Sequence, residues 1–201
     1  LYAQKHRHPP EQMVSRSFFD AHPSEFFDFY CERMLALDAE PNRAHRALAE
    51  LERDGTLRAV ITQNIDGLHQ KAGSRNVLEL HGSVLRNACM GCGAPYSVER
   101  PLDLRAANPD GVPRCPACGR IVKPEVVLYE EPLDERTLHE AITAIAQADL
   151  LVIAGTSLSV YPAAGLIDAF QGSRLVIVNR TPTPRDRHAD LCIAANVGDV
   201  L

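Results

Sequence analysis

Four cysteines in two identically spaced pairs are the feature that most constrains what this sequence can fold into. Cys89 and Cys92 form one C-x-x-C pair, and Cys115 and Cys118 form the other. A C-x-x-C turn aims two thiolates at one cation, and two such turns complete the tetrahedral sulfur shell of a zinc ion. Disulfides and a redox dithiol are the alternatives. Disulfides favour an oxidising compartment, and a redox dithiol is typical of a single C-x-x-C motif. Because four sulfurs leave no open position, the pattern predicts one structural zinc per chain.

Glycine follows the second cysteine of each pair. Gly93 and Gly119 stand where a metal-binding turn needs a residue that tolerates positive φ. The spacing between the two pairs suits a small ribbon, so the sequence predicts a zinc module inserted in a larger domain.

Length and charge limit what surrounds this module. The chain has 201 residues and a net charge of −5, so we expect one domain with an insertion and no basic face for nucleic acid. No stretch approaches the about 18 consecutive apolar residues that a membrane helix needs. No signal peptide opens the sequence, so the expectation is a cytoplasmic protein without a membrane partner.

Short apolar runs alternate with helical patterns along the rest of the chain. Helices are predicted over 9–20, 23–37, 41–54, 133–148 and 161–171. Strands are predicted at 59–62, 77–80, 126–128, 150–154 and 175–178. The run from Leu150 to Ala154 is apolar throughout, which is typical of a strand buried on both faces. Strands alternating with helices indicate an α/β fold with a doubly wound parallel sheet.

Polar residues follow four of the predicted strands. They are Gln63, Asn64 and Asp66 after the first strand, His81 after the second, Gly155, Thr156 and Ser157 after the fourth, and Asn179 after the last. Ligands of parallel α/β sheets bind beyond the carboxyl ends of the strands. Glycine with hydroxyl and amide donors suits a phosphate or a ribose, so we predict a nucleotide-type ligand. Turn or cap formation is the alternative for these small polar residues.

His81 is the best candidate for catalysis because it ends a strand and precedes a glycine. Imidazole titrates near neutral pH, so it can remove a hydroxyl proton under cellular conditions. A structural histidine is the alternative interpretation of this position.

Several motifs, in order along the chain, resemble those of the sirtuins. They are Thr62–His69 (TQNIDGLH), Leu80-His81-Gly82, the two cysteine pairs, Lys123–Tyr129 (KPEVVLY), Gly155–Leu158 (GTSL) and Ile177-Val178-Asn179. The resemblance runs from about residue 22 to the end and implies a Rossmann-like domain, a zinc ribbon and a helical module. It implies a helical module at 1–54, a Rossmann-like domain at 55–84 and 124–201, and the ribbon at 85–123.

Sirtuins are NAD-dependent protein lysine deacylases, and the resemblance implies that activity here, with deacetylation favoured. NAD+ would be a co-substrate, and acyl-lysine proteins or peptides would be the partners. The acyl oxygen would displace nicotinamide from the ribose carbon, and His81 would then deprotonate a ribose hydroxyl that attacks the resulting intermediate. The products would be nicotinamide, O-acyl-ADP-ribose and free lysine.

The resemblance also implies roles for individual residues. His81 and Asn64 would be catalytic. The cofactor would contact Gln63, Asn64, Ile65, Asp66, Gly155, Thr156, Ser157, Asn179 and Val197. The substrate backbone would pair, as an added strand, with the segment from Val126 through Val127, Leu128 and Tyr129 to Glu130.

The sequence departs from the sirtuin pattern in two places. The family's glycine-rich phosphate loop and first strand have no match, and Leu1-Tyr2 looks like the sequence that directly follows them. We therefore expect that the chain lacks part of the NAD site. The second departure is Glu130, where sirtuins usually carry glycine, and a side chain there would adjust peptide docking.

Tyr30 and Arg33 bear on acyl preference because three-residue spacing places two side chains on one face of an α-helix. Sirtuins that remove succinyl or malonyl groups carry a Tyr-x-x-Arg pair there to bind the acyl carboxylate. The alternative is an aromatic core residue beside a surface arginine.

Three other functions remain open at this point. One is a non-catalytic NAD or ADP-ribose binding protein, and a second is a zinc protein that captures peptides. The third is ADP-ribosyl transfer.

Overall fold

The computed structural model describes residues 8–201, so the expectation about Leu1 and Tyr2 lies outside the described residues. The α-helices are α1 (Pro10–Met13), α2 (Arg16–Ala21), α3 (Pro23–Phe29), α4 (Arg43–Arg53), α5 (Leu68–Ala72), α6 (Glu99–Ala107), α7 (Glu135–Ala146) and α8 (Val197–Val200). A π-helical segment covers Tyr30–Met34, and 3₁₀ helices cover Ala163–Ala169 and Asp186–His188. The strands are β1 (Val60–Thr62), β2 (Val77–Glu79), β3 (Gly82–Cys89), β4 (Pro95–Ser97), β5 (Val122–Val126), β6 (Leu150–Ala154), β7 (Arg174–Val178) and β8 (Leu191–Ile193).

The chain divides into two compact units. The first unit comprises Leu1–Ala39, of which residues 8–39 are described, with Asn64–Gly67 and His81–Leu133. The second comprises Glu40–Gln63, Leu68–Leu80 and Asp134–Leu201. In the first unit, the N-terminal helices therefore group with the cysteine segment.

The first unit is built on an antiparallel sheet in the order β4-β3-β5. Aromatic residues of α2 and α3 fill its core, and the rings of Phe19 and Phe26 meet edge to face at a centroid distance of 4.9 Å. They pack with Val84 of β3 and Val126 of β5. Burying such large rings is the main favourable contribution to the stability of a core of this kind.

The predicted helix over 9–20 is wrong at its centre, where Val14 and Ser15 separate α1 from α2. The backbone there pairs with Tyr129 instead: the Tyr129 amide donates to Val14 O at 3.0 Å, and the Arg16 amide donates to Tyr129 O at 2.9 Å. Ser15 Oγ accepts from the Phe18 amide and begins α2 as its N-cap. A long-range pairing thus overrides the local helical pattern.

The second unit contains the parallel strands, and the α/β class is confirmed. They form two ladders, β1-β2 and β6-β7-β8. Beside them lies a hydrophobic core that includes Leu80 and, from α7, Ala141 and Ile145. The predicted helix over 161–171 is a 3₁₀ helix, and its Leu166 belongs to the same core.

The prediction that the strand at 150–154 is buried on both faces is wrong. Leu150 is 50% exposed and Val152 is 41% exposed, whereas Leu151 packs against the core. Among the described residues, β6 pairs with β7 alone and lies at the edge of its ladder. Because every side chain in the run is apolar, the sequence carried no alternation that would have revealed the two different faces.

Candidate functional site

The four predicted zinc ligands lie together in the first unit. Their sulfurs all lie within 4.8 Å of one another, with 3.3 Å between Cys89 and Cys118 and 3.7 Å between Cys92 and Cys115. All four are free thiols. Tetrahedral zinc with Zn–S bonds of about 2.3 Å needs sulfurs about 3.8 Å apart, so the donor set fits a structural zinc ion.

Local turns build this cluster. The Gly93 amide donates to Cys89 O at 2.9 Å, and the Gly119 amide donates to Cys115 O at 2.8 Å. Both glycines have positive φ, 72° and 74°, as predicted from the sequence. The Gly91 amide also points at Cys89 Sγ from 3.3 Å, which favours a thiolate at that sulfur.

Tyr96 of β4 supports the same cluster. Its hydroxyl donates to Cys115 Sγ at 3.1 Å, and this bond is the largest of several causes that together lower the pKa of Cys115 to about 6. A thiolate at neutral pH is the form that binds zinc. No sequence pattern indicated Tyr96, because only the pairing of β4 with β3 brings it to the cysteines.

His81 is the turn residue that directly precedes β3, and it is half-buried. Its carbonyl accepts from the Val127 amide at 3.0 Å. Gly82 has a φ of 72°, and a Cβ there would lie 1.8 Å from Glu125 O. Only glycine therefore fits beside His81, since any side chain would collide with the backbone of β5.

The segment Asn64–Gly67 lies along the same strand. The Val84 amide donates to Ile65 O at 2.9 Å, and Ile65 packs against the aromatic core. Asn64 is exposed and Asp66 is half-buried. The first unit thus attaches three predicted cofactor residues to the strand that His81 precedes.

The second unit contains the other predicted cofactor residues. The Gly155 amide donates to Val178 O at 3.0 Å, and Asn179 Nδ2 donates to Thr156 O at 3.1 Å and Thr181 O at 2.9 Å. Val197 Cγ2 lies 3.5 Å from where a Cβ on Gly155 would stand. Gly155 has a φ of 65°, so the turn after β6 favours glycine.

Gln63 and Ser157 complete the predicted set in the second unit. Gln63 directly follows β1 and is half-buried, and Ser157 O accepts from the Ser159 hydroxyl at 3.3 Å. The roles of all these residues toward NAD+ stay predictions.

The backbone amides of the predicted peptide-binding segment already have acceptors within the first unit. Those of Val127, Leu128 and Tyr129 donate to His81 O, to Glu131 Oε2 at 2.8 Å and to Val14 O. The carbonyls of Leu128 and Tyr129 likewise accept, from the Glu131 amide at 3.0 Å and the Arg16 amide at 2.9 Å, so pairing of a substrate strand with this segment stays a prediction. Val126 ends β5, Leu128 is buried, and the Tyr129 side chain is exposed.

Glu131 joins an ion network next to this segment that no sequence pattern indicated. Glu131 Oε2 lies 3.2 Å from Lys123 Nζ, and Glu131 Oε1 lies 3.1 Å from Arg16 Nη1. Burial works to raise the pKa of Glu131, but the Leu128 amide and Lys123 outweigh it and lower that pKa. Burial lowers the pKa of Lys123. Charged residues occur throughout the sequence, so no local pattern indicated that Glu131 would pair with Lys123 and Arg16.

Tyr30 and Arg33 lie in the π-helical segment rather than in an α-helix. Its hydrogen bonds span five residues, as from the Leu35 amide to Tyr30 O, so three-residue spacing does not imply a shared face. Tyr30 is 3% exposed and stacks on Phe26, and burial raises its pKa. Arg33 lies 3.0 Å from Glu32. Tyr30 thus packs as a core aromatic residue, and a carboxylate-binding role for the pair stays a prediction.

Within residues 8–201, no helix has the length and apolarity that crossing a bilayer requires.

Comparisons with known proteins agree with this arrangement. The family model for the Sir2 family matches residues 1–162. An NAD-dependent protein deacetylase of Clostridium acetobutylicum is 50% identical over 100% of this chain and 81% of its own length. One from Clostridium perfringens is 55% identical over 96% of this chain and 77% of its own length.

Solved structures are similar throughout the fold. A structure of Sir2 bound to an acetylated peptide has a TM-score of 0.90 at 41% identity, covering 94% of this chain and 80% of that one. A Sir2 complex with a p53 peptide and NAD+ has the same TM-score and identity, covering 98% and 83%. The family model matches most of the residues of this chain, and the two relatives are 50% and 55% identical to it. The chain therefore belongs to the Sir2 family.

Proposed function

We propose that this protein is an NAD-dependent protein lysine deacylase that releases nicotinamide, O-acyl-ADP-ribose and the free lysine. The single observation that carries the proposal is the hydrogen bond from the Val127 amide to His81 O, 3.0 Å long. It joins the candidate base directly to the candidate peptide-binding segment. A base beside the acyl-lysine segment is what transfer of the acyl group to a ribose requires.

Each residue then has a definite task in the reaction. Gln63, Asn64 and Asp66 hold the nicotinamide and its ribose while the acyl oxygen displaces nicotinamide. His81 takes the proton from a ribose hydroxyl, whose oxygen attacks the former acyl carbon. The lysine amine then leaves, and one water is consumed in forming O-acyl-ADP-ribose. The four cysteines hold zinc, whose contribution is structural because four sulfurs leave no position for a reactant.

A peptide assay tests the proposal. An acetyl-lysine peptide is incubated with and without NAD+, and nicotinamide and deacetylated peptide are quantified. We expect equal amounts of both products, formed only when NAD+ and the acyl group are both present. Transfer of label from NAD+ to protein would instead support ADP-ribosyl transfer, and NAD+ binding without turnover would support a binding protein.

Substitution of His81 sharpens this test. His81→Ala is expected to lower kcat about 10²- to 10⁴-fold, the usual contribution of a general base. The exposed His139 of α7 offers a matched control, and His139→Ala is expected to leave kcat unchanged. Equal activity in both variants would contradict the assignment of His81.

Within this activity we propose deacetylation as the preferred reaction. The burial of Tyr30 among aromatic rings supports this preference over removal of acidic acyl groups. Wild type and Arg33→Met are compared on acetyl- and succinyl-lysine peptides. We expect the substitution to change both rates equally, and a selective loss of succinyl activity would show that Arg33 binds an acyl carboxylate.

A further inference from the structure

Glu130 has an unusual backbone conformation for its residue type. Its φ is 75°, in the left-handed region that favours glycine, and among the described non-glycine residues Leu158 is the other with positive φ. A side chain at such a φ crowds the backbone and costs free energy. Something in the fold must therefore favour glutamate at this position.

The side chain of Glu130 bonds to the beginning of α2. Glu130 Oε2 accepts from the Ser17 amide at 2.8 Å, and Oε1 accepts from the Ser17 hydroxyl at 3.0 Å. The first amides of a helix have no partner within the helix, and the helix dipole favours an anion there. Bonds of this charged kind offset the cost of the strained backbone.

The Tyr129-Glu130 dipeptide and Ser15 together complete the start of α2. The Arg16 amide donates to Tyr129 O, the Ser17 amide to Glu130, and the Phe18 amide to Ser15 Oγ. The first three amides of the helix are therefore satisfied, two of them by residues more than a hundred positions further along the chain. The end of the segment 126–130 is thus fixed to α2 by both its backbone and a side chain.

The two adjacent carboxylates have different partners. Glu131 faces Lys123, Arg16 and the Leu128 amide, and its side chain is 17% exposed. Glu130 is exposed and bonds to Ser17. Glu131 therefore fixes the end of the segment 126–130 on its buried side, and Glu130 fixes it on its solvent side.

We propose that Glu130 is a positioning residue for the peptide substrate: by fixing Tyr129 and Glu130 to the start of α2, it sets the shape of the segment that pairs with the acyl-lysine peptide. The proposal rests on the proposed function, since it assigns peptide binding to 126–130. It explains why a glutamate can occupy a position whose φ favours glycine.

Three substitutions of Glu130 separate the side chain from the backbone. Glu130→Gly relieves the strain and removes the carboxylate, Glu130→Ala keeps the strain, and Glu130→Gln keeps an acceptor without the charge. We expect Glu130→Gly and Glu130→Ala to raise the KM for an acetyl-lysine peptide about threefold to tenfold, the equivalent of one ordinary hydrogen bond, because the lost bonds act on the peptide only through the shape of the segment. The Gln variant is expected to lie between these and wild type, with kcat and the KM for NAD+ unchanged in all three.

Ser17→Ala provides the matching change on α2. It removes one of the two bonds to Glu130, so we expect a smaller increase in the peptide KM. Combined with Glu130→Ala, it should add nothing further, because both changes break the same contact. Hydrogen exchange at the Ser17 amide is expected to quicken in Glu130→Gly, which reports the contact independently of turnover.

The outcomes distinguish this proposal from the proposed function. If wild type deacetylates peptides but Glu130→Gly has an unchanged peptide KM, the positioning role is overturned while the deacylase function stands. An equal change in kcat, in both KM values and in the melting temperature would also overturn it, since that indicates a structural role. If wild type lacks turnover, affinity for a fluorescent acetyl-lysine peptide replaces KM, and equal affinity in wild type and Glu130→Gly overturns the proposal.

Discussion

The cysteine cluster of the first unit and the loop cluster of the second, formed by Gly155–Ser157, Asn179 and Val197, are built in opposite ways. In the cysteine cluster, side chains converge on one point and local turns aim them. In the loop cluster, backbone groups are held in place by strand-end hydrogen bonds and by the Asn179 amide. The first arrangement needs a metal to neutralise four thiolates, whereas the second is held by hydrogen bonds within the protein.

The difference shows where each site is vulnerable. Removing one sulfur destroys a ligand that no neighbour can replace. Removing one hydrogen bond of the loop cluster leaves the other hydrogen bonds of the cluster in place. We therefore expect substitutions in the cysteine cluster to act mainly on stability and those in the loop cluster to act mainly on NAD+ affinity.

The largest expected effect is loss of a zinc ligand. Cys115→Ser, or removal of zinc with a chelator, is expected to destabilise the first unit by at least about 4 kcal/mol, because folding there is coupled to metal binding. Thermal melting and zinc content measure this. Cys192→Ser is the control, since Cys192 is exposed in the second unit. Equal melting temperatures for Cys115→Ser and wild type would contradict a structural metal.

The next effect concerns the ion network around Glu131. Glu131→Gln leaves Lys123 half-buried without its anionic partner, and we expect a loss of about 2 kcal/mol at neutral pH. Because the folded pKa of Glu131 is lowered, its contribution to stability is present above its unfolded pKa of about 4.3 and is lost as pH falls below that value.

Denaturant unfolding from pH 7 to pH 3 measures this contribution. Wild type should lose stability more steeply than Glu131→Gln as pH falls, so that the two curves converge in acid. Glu125→Gln is the control, because its pair with Arg86 is half-exposed on both sides and contributes little. Parallel curves for wild type and Glu131→Gln would show that the network does not set acid stability.

The smallest expected effect lies in the loop cluster. Asn179→Ala removes the donors to Thr156 O and Thr181 O, and we expect the KM for NAD+ to rise about fivefold, equivalent to about 1 kcal/mol. Asn76→Ala removes a comparable bond, to Arg58 O, elsewhere in the same unit and is the control. A large fall in melting temperature without a change in KM would break the comparison between the two clusters.

The sequence by itself predicted all four cysteines of the cluster and the positive φ of Gly93 and Gly119. This was possible because ligand spacing and turn chemistry are local properties of a few residues. The α/β class, β1, β2 and the strands at 150–154 and 175–178 were accessible for the same reason, since each is signalled by a short apolar run. The family resemblance, likewise, depended on contiguous motifs.

Contacts between distant segments decided the rest. Pairing of Tyr129 with residues 14–16 interrupts the first helix, and one face of β6 is exposed at Leu150 and Val152 while Leu151 packs against the core. The contact of Glu130 with Ser17 joins residues far apart in the chain. A sequence pattern records which residues are near one another along the chain, whereas these features depend on which backbone groups and charges are near one another in space. Only the tertiary structure settles that second question.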